Sequence, residues 1–467
     1  MVSVKGVFVR IGRDNQAMNG FFILVYICLQ ILIGVYLSRR IKSESDYFLG
    51  GRRVPMFMAA FSLFATWFGA ETCIGSSGQV YEAGLSGSRA DPFGYGVCLF
   101  LMGLFVAGRI RKGNYVTLAD YFKDRFGPGV ELFAALVLVP SSLFWGGAQL
   151  RAFGQVISAT TALHVNLTIV LAAAFVILYT YLGGLLGDIY TDLIQGVVLV
   201  AGLVMITVFV LAMPAPAGSL ATALTPERLS FLAPGESLMQ RLDRWMVPIL
   251  GSLVAQEALS RILAARSTSA ARRASFLACA VYLLVGSLPV ALGLAGPVLM
   301  PGLADKEQFL VLLSERYLPR AAFVFFAGAL VSAILSTIDS ILLAVSALIS
   351  HNFVYPAFKV RREKDKILIA RGVVGAAGAV SCCIALFGGG IYDLVISASS
   401  FGTAGVLVLT LGGFYLKTGG KMTALATLTA GLVVLPLADS VFHVGAPFLF
   451  TVGVSALVFV FFALRDL

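Results

Sequence analysis

The feature that most constrains this chain is a series of long stretches without a single Asp, Glu, Lys or Arg. Asn15–Ser38, Ala152–Gly187, Leu193–Pro226, Ala274–Ala304, Gly372–Tyr392, Leu394–Leu416 and Ser440–Leu464 are all free of them. A helix crosses a hydrocarbon core with about 20 apolar residues, and each stretch is long enough. Charged residues make up only 12% of the 467 residues, against about 25% in ordinary soluble domains. The sequence therefore predicts an all-α integral membrane protein. The hydrophobic runs divide into about thirteen transmembrane helices, near 18–37, 55–80, 92–110, 131–160, 166–184, 189–212, 245–264, 273–298, 320–350, 367–387, 391–416, 422–438 and 442–463. The first is followed by Arg39, Arg40 and Lys42 rather than a small-residue cleavage site, so it reads as a helix and not as a signal peptide.

The net charge of +10 would raise nucleic-acid binding in a soluble protein. Here its distribution argues otherwise. With the N-terminus outside and the C-terminus inside, 23 of the 34 Lys and Arg fall in inside segments, as the positive-inside rule requires. The expected setting is a plasma (inner) membrane, with the lipid bilayer as partner and no nucleic acid. All six cysteines lie within apolar runs and read as small buried thiols, with no CxxC or Cys/His metal spacing. There is no GxGxxG, GxxxxGK[ST] or HExxH, so an enzyme is not expected. The connection at 213–244 is rich in Pro and too poor in apolar residues for a core, and 299–319 has room for a short helix.

Three polar islands interrupt the apolar helices. At membrane depth such islands mark a solute or ion path, although Gly, Ala, Ser and Thr also serve close helix packing. The first runs from Phe64 to Gly78 and holds Glu71, with Gly69, Gly75 and Gly78 weakening the helix. A break there would free backbone carbonyls to face a cation and expose a half-helix end to a ligand; the alternative is a kinked packing helix. The second runs from Ser332 to Ser340. Ser336 and Thr337 are adjacent hydroxyls and the Ala333 carbonyl is one turn earlier. That set suits a hard monovalent cation better than Ca²⁺ or Zn²⁺, and back-bonding within the helix is the competing explanation. The third, Tyr179 to Gln195, is a tight turn with two acids, where Asp188 reads as a helix N-cap and Asp192 lies just inside the next helix.

The motifs taken in order resemble the sodium:solute symporter family. They are Thr117-Leu118-Ala119-Asp120-Tyr121-Phe122, Arg125-Phe126-Gly127, the Tyr179-Thr180…Gly183-Gly184-Leu185…Thr191-Asp192…Gln195 run, Gln256 with Arg261, and Ala333-Ile334-Leu335-Ser336-Thr337…Asp339-Ser340. The match covers about 45–400. The resemblance implies the leucine-transporter architecture, two inverted five-helix repeats around a midplane site. It places a tail and extra helix at 1–54, the first repeat at 55–212, an external loop at 213–244, the second repeat at 245–416 and two further helices at 417–467.

Position by position, the resemblance implies a Na⁺ site made of the Ala65, Phe68 and Ala333 carbonyls and the Ser336 and Thr337 hydroxyls, with Asp192 on the ion's exit route. Trp67 stands where proline-type members carry an acid, and Asp188 stands where an apolar residue is usual. Glu71 and Thr72 match sugar-transporting members, in which that Glu contacts the solute. Trp67, Tyr95 and Trp145 match three walls of the aromatic box of the choline branch, which suits quaternary ammonium. Two further walls are replaced by Ala255 and Val395. Gln149 and Gln256 complete the expected solute-binding set. Arg151 could join Glu71 to hold a zwitterion. The three histidines, His164, His351 and His443, read as interfacial.

The expected function is Na⁺-coupled symport of a small polar organic solute (a choline-like amine, an amino acid or a sugar), by alternating access, with a single chain as the working unit. A proton-coupled transporter of the same fold and a transporter-like solute sensor are the alternatives.

Overall fold

The computed structural model describes residues 28–29, 32–161, 163–212 and 222–465. Among them the regular structure is entirely helical, with one isolated bridge between Val54 and Ala265. Nine described helices are long and apolar enough to cross a bilayer, or ten when the pair Leu238–Gly251 and Gln256–Ala264, bent by 41°, counts as one span. The all-α expectation holds, whereas thirteen separate spans are not reproduced as a count. The span expected at 18–37 lies largely outside the described residues. The helices expected at 166–184 and 189–212 run on as Val165–Ala212, and helical structure also continues from Glu71 to Lys112.

The elements that shape the interior are α1 (Met56–Trp67), α2 (Ser76–Ala83), α3 (Val130–Thr161), α4 (Val165–Ala212), α5 (Gln256–Ala264), α6 (Thr268–Leu299), α7 (Arg320–Ile349), α8 (Glu363–Phe387), α9 (Ile391–Ser400), α10 (Thr403–Tyr415), α11 (Lys421–Pro436) and α12 (Pro447–Arg465). α7 is the most enclosed of the spans and packs against α3 and α4; α1 packs against α6 and α4. α11 and α12 pair with each other and with α10. Large apolar side chains such as Leu136, Phe387, Leu457 and Phe461 point outward, as a hydrocarbon solvent allows and water does not.

Breaks in these helices follow the sequence. α4 turns sharply at Gly184, whose φ of 54° and ψ of −171° leave the helical region. A Cβ there would lie 2.9 Å from the Tyr47 ring and 3.0 Å from its carbonyl, so both sterics and backbone demand glycine. A second break separates α9 from α10 at Phe401 and Gly402. The short helix expected within 299–319 is Phe309–Tyr317. The thiols divide: Cys73 and Cys98 are buried, Cys279 and Cys382 are half-buried, and Cys28 and Cys383 are exposed. Being in an apolar run places a residue in a span and does not choose the face of the helix.

Candidate functional site

The site begins where α1 stops. Phe68 leaves helical backbone with φ −82° and ψ 66°. The ladder ends with the Phe68 N–H donating to the Phe64 carbonyl at 2.9 Å and resumes with Cys73 N–H to the Gly69 carbonyl at 3.3 Å. A continuous helix would give the Ala70 N–H to the Thr66 carbonyl; it goes instead to Gln149 Oε1 at 2.9 Å. The Trp67 carbonyl accepts from the Tyr282 hydroxyl at 3.1 Å. Backbone freed inside an apolar interior needs such partners. A Cβ at Gly69 would lie 2.7 Å from both Gln149 Oε1 and Thr337 Oγ1, so only glycine lets the break lie this close to α7.

α7 brings the expected ion ligands to that break. Ala65, Phe68, Ala333, Ser336 and Thr337 are all buried. The Thr337 hydroxyl donates to the Ala333 carbonyl at 3.2 Å. The Ser336 hydroxyl donates to one oxygen of Asp192, and the Ser62 hydroxyl of α1 donates to the other. These residues offer oxygen donors only, which is the chemistry a hard alkali cation takes, and they fit Na⁺.

Next to them lies a buried ionic cluster. Arg261 on α5 is fully enclosed and donates to Asp188 and Ser340, reaches Ser62 at 3.2 Å, and lies 3.6 Å from Asp192. Carboxyl oxygens of Asp188, Asp192 and Asp339 lie within 4.8 Å of one another. Asp188 is therefore not a helix N-cap as expected; it sits inside α4 as the partner of Arg261. Three carboxyls crowd together beside one guanidinium that pairs with Asp188 and Asp192, an arrangement that an added cation would relieve.

The solute residues gather on the other side of the break. Glu71 Oε1 accepts from Trp145 Nε1 at 2.9 Å and its Oε2 accepts from the Gln149 amide. Trp67 stacks on Tyr95 with ring centroids 5.5 Å apart, and the Tyr95 hydroxyl meets Ser399 at 3.2 Å. Trp145, Tyr95, Ala255, Gln256 and Glu257 line one cleft. Glu71, Asp91, Tyr95 and Val395 line a second. Two expected contacts have other duties. Gln256 Oε1 accepts from the Leu118 N–H at 2.9 Å, which fixes the helix Leu118–Phe126. Thr72 turns to Asp91 at 2.6 Å and to Tyr282 at 2.8 Å. Arg151 donates to the Ala385 carbonyl at 3.0 Å and lines neither cleft, so it is not placed to hold a solute carboxylate.

Several participants escaped sequence reasoning. Asp91, Tyr282 and Glu257 are buried polar groups at the site; an acid followed by Pro92, and an acid next to Gln256, were the available signals. His351 is not merely interfacial. Its ring bonds Glu44 and lies 3.1 Å from Asp120, and Lys366 reaches Glu44 at 2.9 Å. Burial pushes the Glu44 carboxyl up, but hydrogen bonding and charge from His351, joined by Lys366, outweigh it and hold it below the usual carboxylate range. Asp120 behaves alike: burial raises it, and His351 with the Thr117 and Val116 amides brings it below that range.

The chain is similar to several known proteins. Human high affinity choline transporter 1 is 27% identical over 398 residues, covering 80% of this chain and 68% of that protein. The sodium/proline symporter of Staphylococcus aureus is 26% identical over 371 residues, covering 76% and 70%. The solved structure of a Na⁺-coupled sialic acid symporter, substrate-bound and outward-open, matches with TM-score 0.83 at 20% identity, covering 96% of this chain and 97% of that one. Mhp1, a nucleobase-cation-symport-1 family transporter in a closed conformation, matches with TM-score 0.62 at 15% identity, covering 91% and 96%. These likenesses establish the fold class. The profile of the sodium:solute symporter family covers residues 47–431, and the chain is a member of that family.

Proposed function

We propose that this protein imports a small organic cation, a choline-like amine, together with Na⁺. The observation that carries the choice of solute is the charge of the two clefts. Among the described residues, their walls hold Glu71, Asp91 and Glu257 and no Lys, Arg or His. A carboxylate-bearing solute would meet buried acids without a basic partner, which is costly; a sugar would leave those acids uncompensated. An amine finds these carboxylates and the faces of Trp145 and Tyr95 for cation–π attraction.

In this reading Na⁺ binds Ala65, Phe68, Ala333, Ser336 and Thr337 and orders the break in α1. Gln149 then links ion to solute, since its carboxamide holds both the Ala70 N–H of the break and the Glu71 carboxylate. Asp192 offers the ion its way out. The breaks in α1, before α5 and between α9 and α10 support two inverted repeats at 55–212 and 245–416, which rock about the fixed site. The distribution of Lys and Arg supports an outside N-terminus and an inside C-terminus. Na⁺ and a singly charged amine carry two charges inward, and at about 100 mV each charge gains about 2.3 kcal/mol, roughly fiftyfold per charge.

One observation favours a second reading. The carboxyls of Asp188, Asp192 and Asp339 crowd together beside a single guanidinium that pairs with the first two, so a proton could be the coupling ion there. Uptake into proteoliposomes separates the two. A Na⁺ gradient at equal pH should drive accumulation of labelled choline; accumulation driven only by a pH gradient would replace Na⁺ by H⁺ in the mechanism.

A further inference from the structure

The two clefts differ in an instructive way. Each has its own carboxylate, Glu71 in one and Glu257 in the other, and they share Tyr95 and Ser399. The hydroxyls of that pair meet at 3.2 Å where the two clefts adjoin. Both acids are tied to α3, one turn apart. Glu71 accepts from Trp145, and Glu257 Oε2 takes the Ser142 hydroxyl at 3.5 Å. Three residues of helix advance about 4.5 Å.

We infer that the solute is a dication of the α,ω-diamine type, with one primary ammonium on Glu71 and the other on Glu257. This rests on the reading of the protein as a Na⁺-coupled importer of organic cations and narrows its substrate class. A carboxylate has about four acceptor sites and an ammonium three donors. Trp145 and Gln149 occupy two sites on Glu71 and leave room for an ammonium. The Glu257 carboxylate accepts a long bond from Ser142 at 3.5 Å and faces Trp67, and its neighbour Arg261 is engaged by Asp188 and by the Glu257 backbone carbonyl. The methylene chain between the charges would lie along Trp145 and Tyr95.

The plain structural alternative is that Glu257, the second residue of α5, only complements the helix dipole. That role is indifferent to whether the solute carries one charge or two, and the difference defines the test. Purified protein in proteoliposomes with saturating Na⁺ is titrated with 1,4-diaminobutane and with n-butylamine, a chain of the same length and one charge fewer. Competition against labelled choline is read.

The diamine should bind at least about tenfold tighter than the monoamine. In Glu257→Gln, checked for folding by gel filtration, that preference should fall to within about twofold. Equal affinities in the wild-type protein, or an undiminished preference in the variant, overturn the inference. The wild-type comparison stands even if the variant does not fold. Na⁺-dependent choline and butylamine binding without a diamine preference sinks the dication and leaves the importer intact. Absence of binding by every organic cation sinks both.

Discussion

The Ser336 hydroxyl donates to Asp192 across 144 residues of sequence, and the same carboxylate takes Ser62 from the broken helix on its other oxygen. One acid thus ties together the two elements that make the proposed ion site. Closing or opening the space between α1 and α7 must make or break these bonds, which gives ion occupancy a direct hold on the arrangement of the two helices.

Replacing Ser336 and Thr337 together with Ala removes the hydroxyls and keeps the helix. The Na⁺ concentration for half-maximal uptake should rise about tenfold or more, equivalent to about 1.4 kcal/mol, while the protein still inserts. Unchanged Na⁺ dependence of choline uptake would count against the site.

Glu71→Gln keeps the shape of the side chain and removes its charge. Solute affinity should fall at least about tenfold, because the charge-assisted contact is lost while Trp145 Nε1 keeps an acceptor. Half-saturation by Na⁺, measured without solute by thermal shift, should move less than the solute constant does. An unaltered solute constant would remove Glu71 from the cleft.

Asp188→Ala leaves the enclosed Arg261 guanidinium without its nearest partner. Removing one member of a buried pair costs about 3–5 kcal/mol, and the remaining Asp192 contact places this case at the lower end. The melting temperature in detergent should drop by several degrees, read from intrinsic fluorescence. A wild-type melting curve would show that the pair contributes little.

Around His351 the acid limb of the pH dependence is set by the two carboxyls. Glu44 and Asp120 are held below their usual values, so their stabilising contribution is complete above the unfolded values of about 4.3 and 3.9. It disappears as pH falls through the depressed folded values. The wild-type protein should therefore lose melting temperature below about pH 4, and Glu44→Gln should flatten that loss. Identical acid profiles for the two would refute the role of this cluster.

Helices and their interruptions were legible because apolar context makes every polar residue conspicuous. The glycines around Glu71 announced the break, and the Ser336–Thr337 pair stood out in α7. Convergence in space was not legible. Tyr282 and Asp91 meet Thr72 from helices 210 and 19 residues away, and no local pattern encodes such meetings. Arg151 shows the converse. A cation deep in an apolar run invited a role with the solute, yet its long stem carries the guanidinium to the Ala385 carbonyl. Asp188 looked like a cap because its partner, Arg261, is 73 residues further on.

Gly69 has the last consequence. The space that its missing side chain leaves is bounded on one side by Thr337 and on the other by Gln149, so in the proposed mechanism the wall between ion and solute is a single peptide thick. Coupling in such a molecule needs no relay across the membrane. Passenger and driver share a partition, and whatever deforms it is felt by both in the same instant.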